Sequence, residues 1–140
     1  MAPYRSRSRV RAAGVAATVG FLGIAGFQAV LALGVPWGKA AWGGGAAELS
    51  AGLRIGSGVA VFIWTLAAAI VFQRSGLGDA HLRATLVKRA TWILFGLILL
   101  GSLMNWASRS EVERYTWGPI TLVMAVLCFI VARGAEPQDR

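Results

Sequence analysis

The chain has 140 residues, 56% of them hydrophobic and only 14% charged. An ordinary soluble domain carries about a quarter charged residues, so this composition argues against that class. The formal net charge of +8 raises nucleic-acid binding, but the placement of the cations, given below, argues against it.

The first predicted element is an apolar run over residues 12–33, free of charge and 22 residues long. At about 1.5 Å per residue this is enough to cross a hydrocarbon core about 30 Å thick. Arg5, Arg7, Arg9 and Arg11 precede it, as they would a signal peptide. A signal core is shorter, about 7–15 residues, and Gly34-Val35-Pro36 is a poor cleavage context, so the segment is expected to be retained. The arginine-serine start is expected to be a mobile tail. On a helical wheel Ala12, Ala16, Gly20, Gly23 and Gly26 fall on one face, which predicts a close packing seam within the bundle or between two copies. Gln28 lies nearly opposite, and its amide needs a partner in hydrocarbon.

Gly34 and Pro36 end this span, because proline cannot continue the helical ladder. The stretch VPWGKAAWGGG, residues 35–45, follows. Trp37 and Trp42 are of the residue type that sits at headgroup level. The stretch is either an anchored turn or a lid over an outward-facing pocket. Residues 46–53 resume a helical pattern, with Glu48 and Arg54 near the surface, and lead into a second span over residues 55–72.

The connection QRSGLGDAHLRATLVKRA is polar and broken by glycine. Asp79 is the expected N-cap of a helix running through His81 and Arg83 into a third span, residues 90–107. Beyond it, Ser102, Asn105 and Ser108 share one helix side. Ser110 and Glu113 have the spacing of a capping box, in which each side chain accepts the other residue's free N–H. Glu111 and Arg114 are spaced to pair in water. Gly118-Pro119 either kinks that helix or starts the fourth span, residues 117–132.

The cations set the orientation. Four stand before span 1, Arg74, Arg83, Lys88 and Arg89 lie between spans 2 and 3, and Arg133 and Arg140 follow span 4. The other side holds only Lys39, Arg54, Arg109 and Arg114. An excess of Lys and Arg marks the cytoplasmic face, so both termini are expected inside. The same cations are in reach of anionic headgroups. One cysteine, Cys128 in span 4, and one histidine, His81 in the inner loop, predict no metal site, no haem and no other cofactor. No charge falls near the bilayer centre, which disfavours a pump or ion-coupled transporter.

The stretches ALGVPWGKAAWGG, LRIGSGVA and NWASRSEVERYTWGP together resemble a group of small four-helix bacterial integral membrane proteins. That group has a Pro-Trp-Gly…Ala-Trp-Gly-Gly loop after span 1 and an Asn…Ser-x-Ser…Glu-Arg…Pro stretch before span 4. The similarity spans about residues 25–132. It implies the topology and a bacterial inner membrane, draws attention to the outer face, and carries over no catalytic residue.

The expected fold is therefore an all-α bundle of four transmembrane helices in a single domain, N-in and C-in. The expected function is non-enzymatic binding of a lipid-like ligand, or of a partner membrane protein, at the outer-leaflet face. Candidate binding residues are Gln28, Trp37, Trp42, Glu48, Arg54, Asn105, Arg109 and Glu113. Membrane lipid is the expected partner, with another membrane protein or a second copy as further options and no nucleic acid. The rival is a small enzyme on an amphiphilic substrate using Glu48, Glu111 or Glu113 as acid or base. A transporter or channel subunit comes third.

Overall fold

The computed structural model describes residues 2–79 and 81–134, with only the backbone described for residues 2–6. Arg140 lies outside the described residues, and the Arg5 side chain is likewise not described. The described residues form an all-helical bundle without strands. Its helices are α1 (Ala2–Ala32), α2 (Ala51–Arg74), α3 (Ala84–Trp106) and α4 (Gly118–Gly134). A π-helical turn, Glu113–Trp117, runs directly into α4. Four segments are long and apolar enough to cross a membrane: Arg7–Ala32, Ala51–Arg74, Ala84–Trp106 and Glu113–Gly134.

The surface has the character such a setting requires. Phe62 is 79% exposed, Ile55 70% and Ile93 61%. Apolar area at about 25 cal/mol per Å² makes so large an uncovered belt costly in water, whereas in lipid it costs nothing.

α1 packs along α2 and α3 along α4, and the two hairpins meet chiefly through α1 against α4. α2 touches α3 only lightly. The core runs down the axis from Ala13, Ala17, Phe21 and Ile24 of α1 to Ala67, Ala68 and Val71 of α2. Leu94 and Ile98 of α3 and Met124, Ala125, Cys128 and Val131 of α4 complete it. Two threonine hydroxyls within the helices bond back to their own backbone, Thr91 Oγ1 to Val87 O at 2.8 Å and Thr65 Oγ1 to Val61 O at 2.7 Å. That is how a polar side chain is satisfied where no water reaches it.

Several expectations require correction. The arginine-serine start is the beginning of α1, not a tail. The proposed seam lies one position off: Ala12, Ala16, Gly23 and Gly26 are exposed, and Ala13, Gly14 and Ala17 are buried instead. A Cβ would meet nothing at Gly23 or Gly26, whereas at Gly20 it would run into Met124 Sδ. Residues 46–50 are not helical. α2 starts at Ala51, with Ser50 as its N-cap accepting from Leu53 N at 3.5 Å. Asp79 caps no helix, since α3 begins at Ala84 after Arg83. Gln73 holds that connection, donating to Leu82 O at 2.8 Å and accepting from Leu82 N at 3.1 Å.

α1 and α2 both end on a left-handed glycine, Gly34 (φ 93°) and Gly76 (φ 70°). At each, paired bonds reach back into the last turn: Gly34 N to Leu31 O with Val35 N to Val30 O, and Gly76 N to Gln73 O with Leu77 N to Phe72 O. Only glycine takes this conformation without penalty, so the expected stop at Gly34 holds for a physical reason.

Candidate functional site

The connection from α1 to α2 folds back over the end of the bundle instead of projecting from it. Two 3₁₀ turns, Gly38–Ala40 and Trp42–Gly44, give it shape. Gly38 N donates to Ala47 O at 2.8 Å and pins the two limbs together. A Cβ at Gly38 would press into Ala46 O and Leu49, which explains a glycine there. Trp42, Gly43 and Gly44 are all left-handed, with φ of 55°, 82° and 69°. For tryptophan this backbone is strained by about 1–3 kcal/mol and persists only where its surroundings hold it.

Those surroundings come from two other segments. Trp42 Nε1 donates to the buried Ser57 Oγ of α2 at 3.1 Å. Gly43 N donates to Glu113 Oε1 at 2.8 Å. Ser110 Oγ donates to Lys39 O at 2.8 Å, and Trp117 Nε1 donates to Ala40 O at 2.9 Å. Glu113 is only 7% exposed, and its second oxygen accepts from the Ser108 hydroxyl.

The capping box is therefore half formed. Ser110 Oγ accepts from Glu113 N at 3.3 Å as expected. The Glu113 side chain does not return to Ser110 N, which donates instead to Ser108 Oγ at 3.1 Å. The carboxylate is used across the bundle, on the loop. Nor do Glu111 and Arg114 pair: the Arg114 guanidinium donates to Ser108 O through Nε at 3.3 Å and Nη2 at 2.9 Å, and lies over the Tyr115 ring.

α4 begins at Gly118, one residue before Pro119, so the second of the two expectations holds, with a π-helical turn leading directly into the helix. Pro119 lacks an N–H, and its ring crowds the preceding turn; the π-helical turn before it accommodates both. Ser102 Oγ donates to Gly118 O at 3.0 Å, and Thr121 Oγ1 donates to Trp117 O at 2.6 Å. Asn105 Nδ2 donates to Thr121 Oγ1 at 3.3 Å. The Ser102, Asn105 and Ser108 side chains thus all serve the junction between α3 and the start of α4.

Beneath the loop lies a cavity of about 280 Å³. Ala40, Ala41 and Trp42 cover it, and Ile24, Phe27 and Gln28 of α1 form one wall. Trp64 of α2, Leu97, Ile98, Gly101, Met104 and Asn105 of α3, and Glu113, Trp117 and Thr121 complete it. Leu97 and Met104, which line it, are themselves 55% and 66% exposed, so the cavity is open beside them on α3. No lysine or arginine lines it. Gln28 Oε1 is buried and has no hydrogen-bond partner.

Of the residues singled out in the sequence, Gln28, Trp42, Asn105 and Glu113 come together on this cavity. Trp37, Glu48, Arg54 and Arg109 do not line it. Trp37, Glu48 and Arg109 are exposed. Arg54 Nε donates to Ala32 O at 3.2 Å and closes the end of α1. Sequence reasoning missed Phe27, Trp64 and Trp117 as cavity walls, and Ser57, Ser108 and Ser110 as the groups that hold its cover. Trp117 and Ser110 stood within the quoted motif; Trp64, in mid-span, gave no signal beyond its size.

Compared with protein-family models, with curated proteins and with solved structures, the chain matches none.

Proposed function

We propose that this chain is a multi-pass protein of the bacterial inner membrane that takes an amphiphilic, lipid-like ligand into the cavity under its tryptophan-glycine loop. The carrying observation is that cavity: apolar walls, an opening toward the side a bilayer would occupy, and one buried amide oxygen left without a partner. An unpaired buried acceptor costs about 1–3 kcal/mol, which a donor on the ligand offsets. A pocket with mostly apolar walls and a few convergent polar groups is the usual form of a small-molecule site. Its volume suits a headgroup and the first part of a tail, with the rest running out beside Leu97 and Met104 of α3.

Binding without catalysis is favoured by how the carboxylates are used. Glu48 and Glu111 are exposed and off the cavity, and both oxygens of Glu113 already hold structural donors. No second carboxylate stands on the cavity to share acid and base roles with it.

The orientation belongs to the same proposal. The cation asymmetry puts the ends of the chain and the 75–83 connection in the cytoplasm, and the cavity end in the outer leaflet. Cytoplasm-specific fluorescent fusions near Gly78 should light up, and those near Gly44 should stay dark; signal at Gly44 overturns the orientation.

Ligand binding is tested by mass spectrometry of molecules that co-purify with the protein. A side chain at Gly101 meets nothing within 4 Å and would occupy the cavity. Wild type and Arg54→Ala should carry one enriched amphiphile that Gly101→Phe loses. The same bulk lipid on all three would overturn the proposal.

A further inference from the structure

The chemistry of the cavity goes further than "amphiphile". We infer that its ligand carries an ammonium group with at least one N–H, seated between the Glu113 carboxylate and the aromatic walls. The inference rests on the binding role proposed above and names the class of ligand.

Three observations converge on it. First, Glu113 is 93% buried by the complement of its exposure, and among the described residues no cationic side chain pairs with it. Its partners, an amide N–H and a hydroxyl, are neutral. A buried carboxylate without a counter-charge is expensive, and a cation brought by the ligand relieves that cost. Each of its oxygens accepts one bond in the structure and keeps lone-pair capacity for another.

Second, Phe27, Trp42, Trp64 and Trp117 all stand on the same cavity. Phe27 and Trp117 are already in contact, with ring centroids 4.8 Å apart and planes tilted by 48°. Aromatic faces attract cations within about 6 Å, most strongly where water is excluded, and a set of them repels anions. An anionic headgroup would meet a carboxylate and ring faces, with no lysine or arginine to receive it.

Third, Gln28 Oε1 is an acceptor with nothing donating to it. A hydroxyl or an ammonium N–H satisfies it, whereas a quaternary ammonium does not. Only a protonated amine answers all three features. The apolar remainder of the ligand leaves through the gap beside Leu97 and Met104.

Two sources supply such a group, the amine of an aminophospholipid and a free long-chain amine, and the test separates them. The full-length protein in maltoside micelles is titrated calorimetrically with dodecylammonium, dodecyltrimethylammonium and dodecanol. Dodecylammonium should bind at 1:1 and about tenfold more tightly than dodecanol, the difference expected of one charge-assisted contact. The trimethyl compound should fall between them. Glu113→Gln, which keeps an oxygen for Gly43 N–H, should bring dodecylammonium down to the level of dodecanol. Should that variant misfold, the comparison of ligands on wild type decides alone. Dodecanol binding as tightly as dodecylammonium would overturn the cationic headgroup and leave the binding role standing. No saturable binding by any of the three would overturn both. Phosphatidylethanolamine added to the micelles should weaken dodecylammonium if a lipid amine is the occupant, and leave it unchanged if a free amine is; either result upholds the ammonium.

Discussion

The two ends of the bundle solve the same chain-reversal problem in different ways. At the end holding residues 75–83, α2 stops on Gly76, the glutamine at 73 clasps Leu82, and α3 begins. Among the described residues, the side-chain clasp of that connection spans nine positions of sequence. At the other end α1 stops on Gly34 in the same manner, but the chain then folds inward over a cavity. Its bonds go to residues up to 77 positions away; it contains a strained tryptophan and is held by the buried Glu113 carboxylate of the turn before α4. A reversal alone needs none of this. The extra structure at one end is the ground on which the proposed binding site is placed there.

The comparison is most severely tested by removing the clasp. Glu113→Ala takes away the acceptor for Gly43 N and Ser108 Oγ and should cost about 2–4 kcal/mol, read as a lowered melting temperature in detergent. Gly20→Leu forces a side chain onto Met124 and should cost about 1–3 kcal/mol, while Gly23→Leu, facing open space, should stay within about 0.5 kcal/mol of wild type. At the plain end, Gln73→Ala removes an exposed two-way bond and should cost about 1 kcal/mol or less, with loosening confined to the 75–83 connection. Glu48→Ala and Arg109→Ala touch exposed residues off the cavity and should change stability by less than about 0.5 kcal/mol and leave the co-purifying ligand in place. A loss at Gln73 as large as that at Glu113 would erase the distinction between the ends.

Much of the bundle was legible because its signal is local. Uncharged runs long enough to span hydrocarbon appear as such in the sequence, and Gly34 followed by Pro36 announces a helix end. What was not legible depended on a partner elsewhere. Ser110 and Glu113 match a local motif, and the local half of it formed; the other half was overridden by Gly43, 70 positions away. The small-residue face of α1 was misassigned for a different reason. Lipid is as apolar as the core, so a wheel that shows a glycine face does not say whether that face meets a helix or a lipid tail. Arg54, near the surface before span 2, is a candidate binding residue in the sequence, but the carbonyl of Ala32 at the end of α1 claims its guanidinium instead.

The central claim is that residues 38–45 form a cover held down on a cavity, not a solvated turn. Amide hydrogen exchange over this stretch, in wild type and in Glu113→Ala, tests it most directly. The account predicts strong protection at Gly43 and Gly44 in wild type, lost in the variant, while residues 75–83 exchange alike in both. Exchange at Gly43 as fast in wild type as in an unstructured peptide would contradict it.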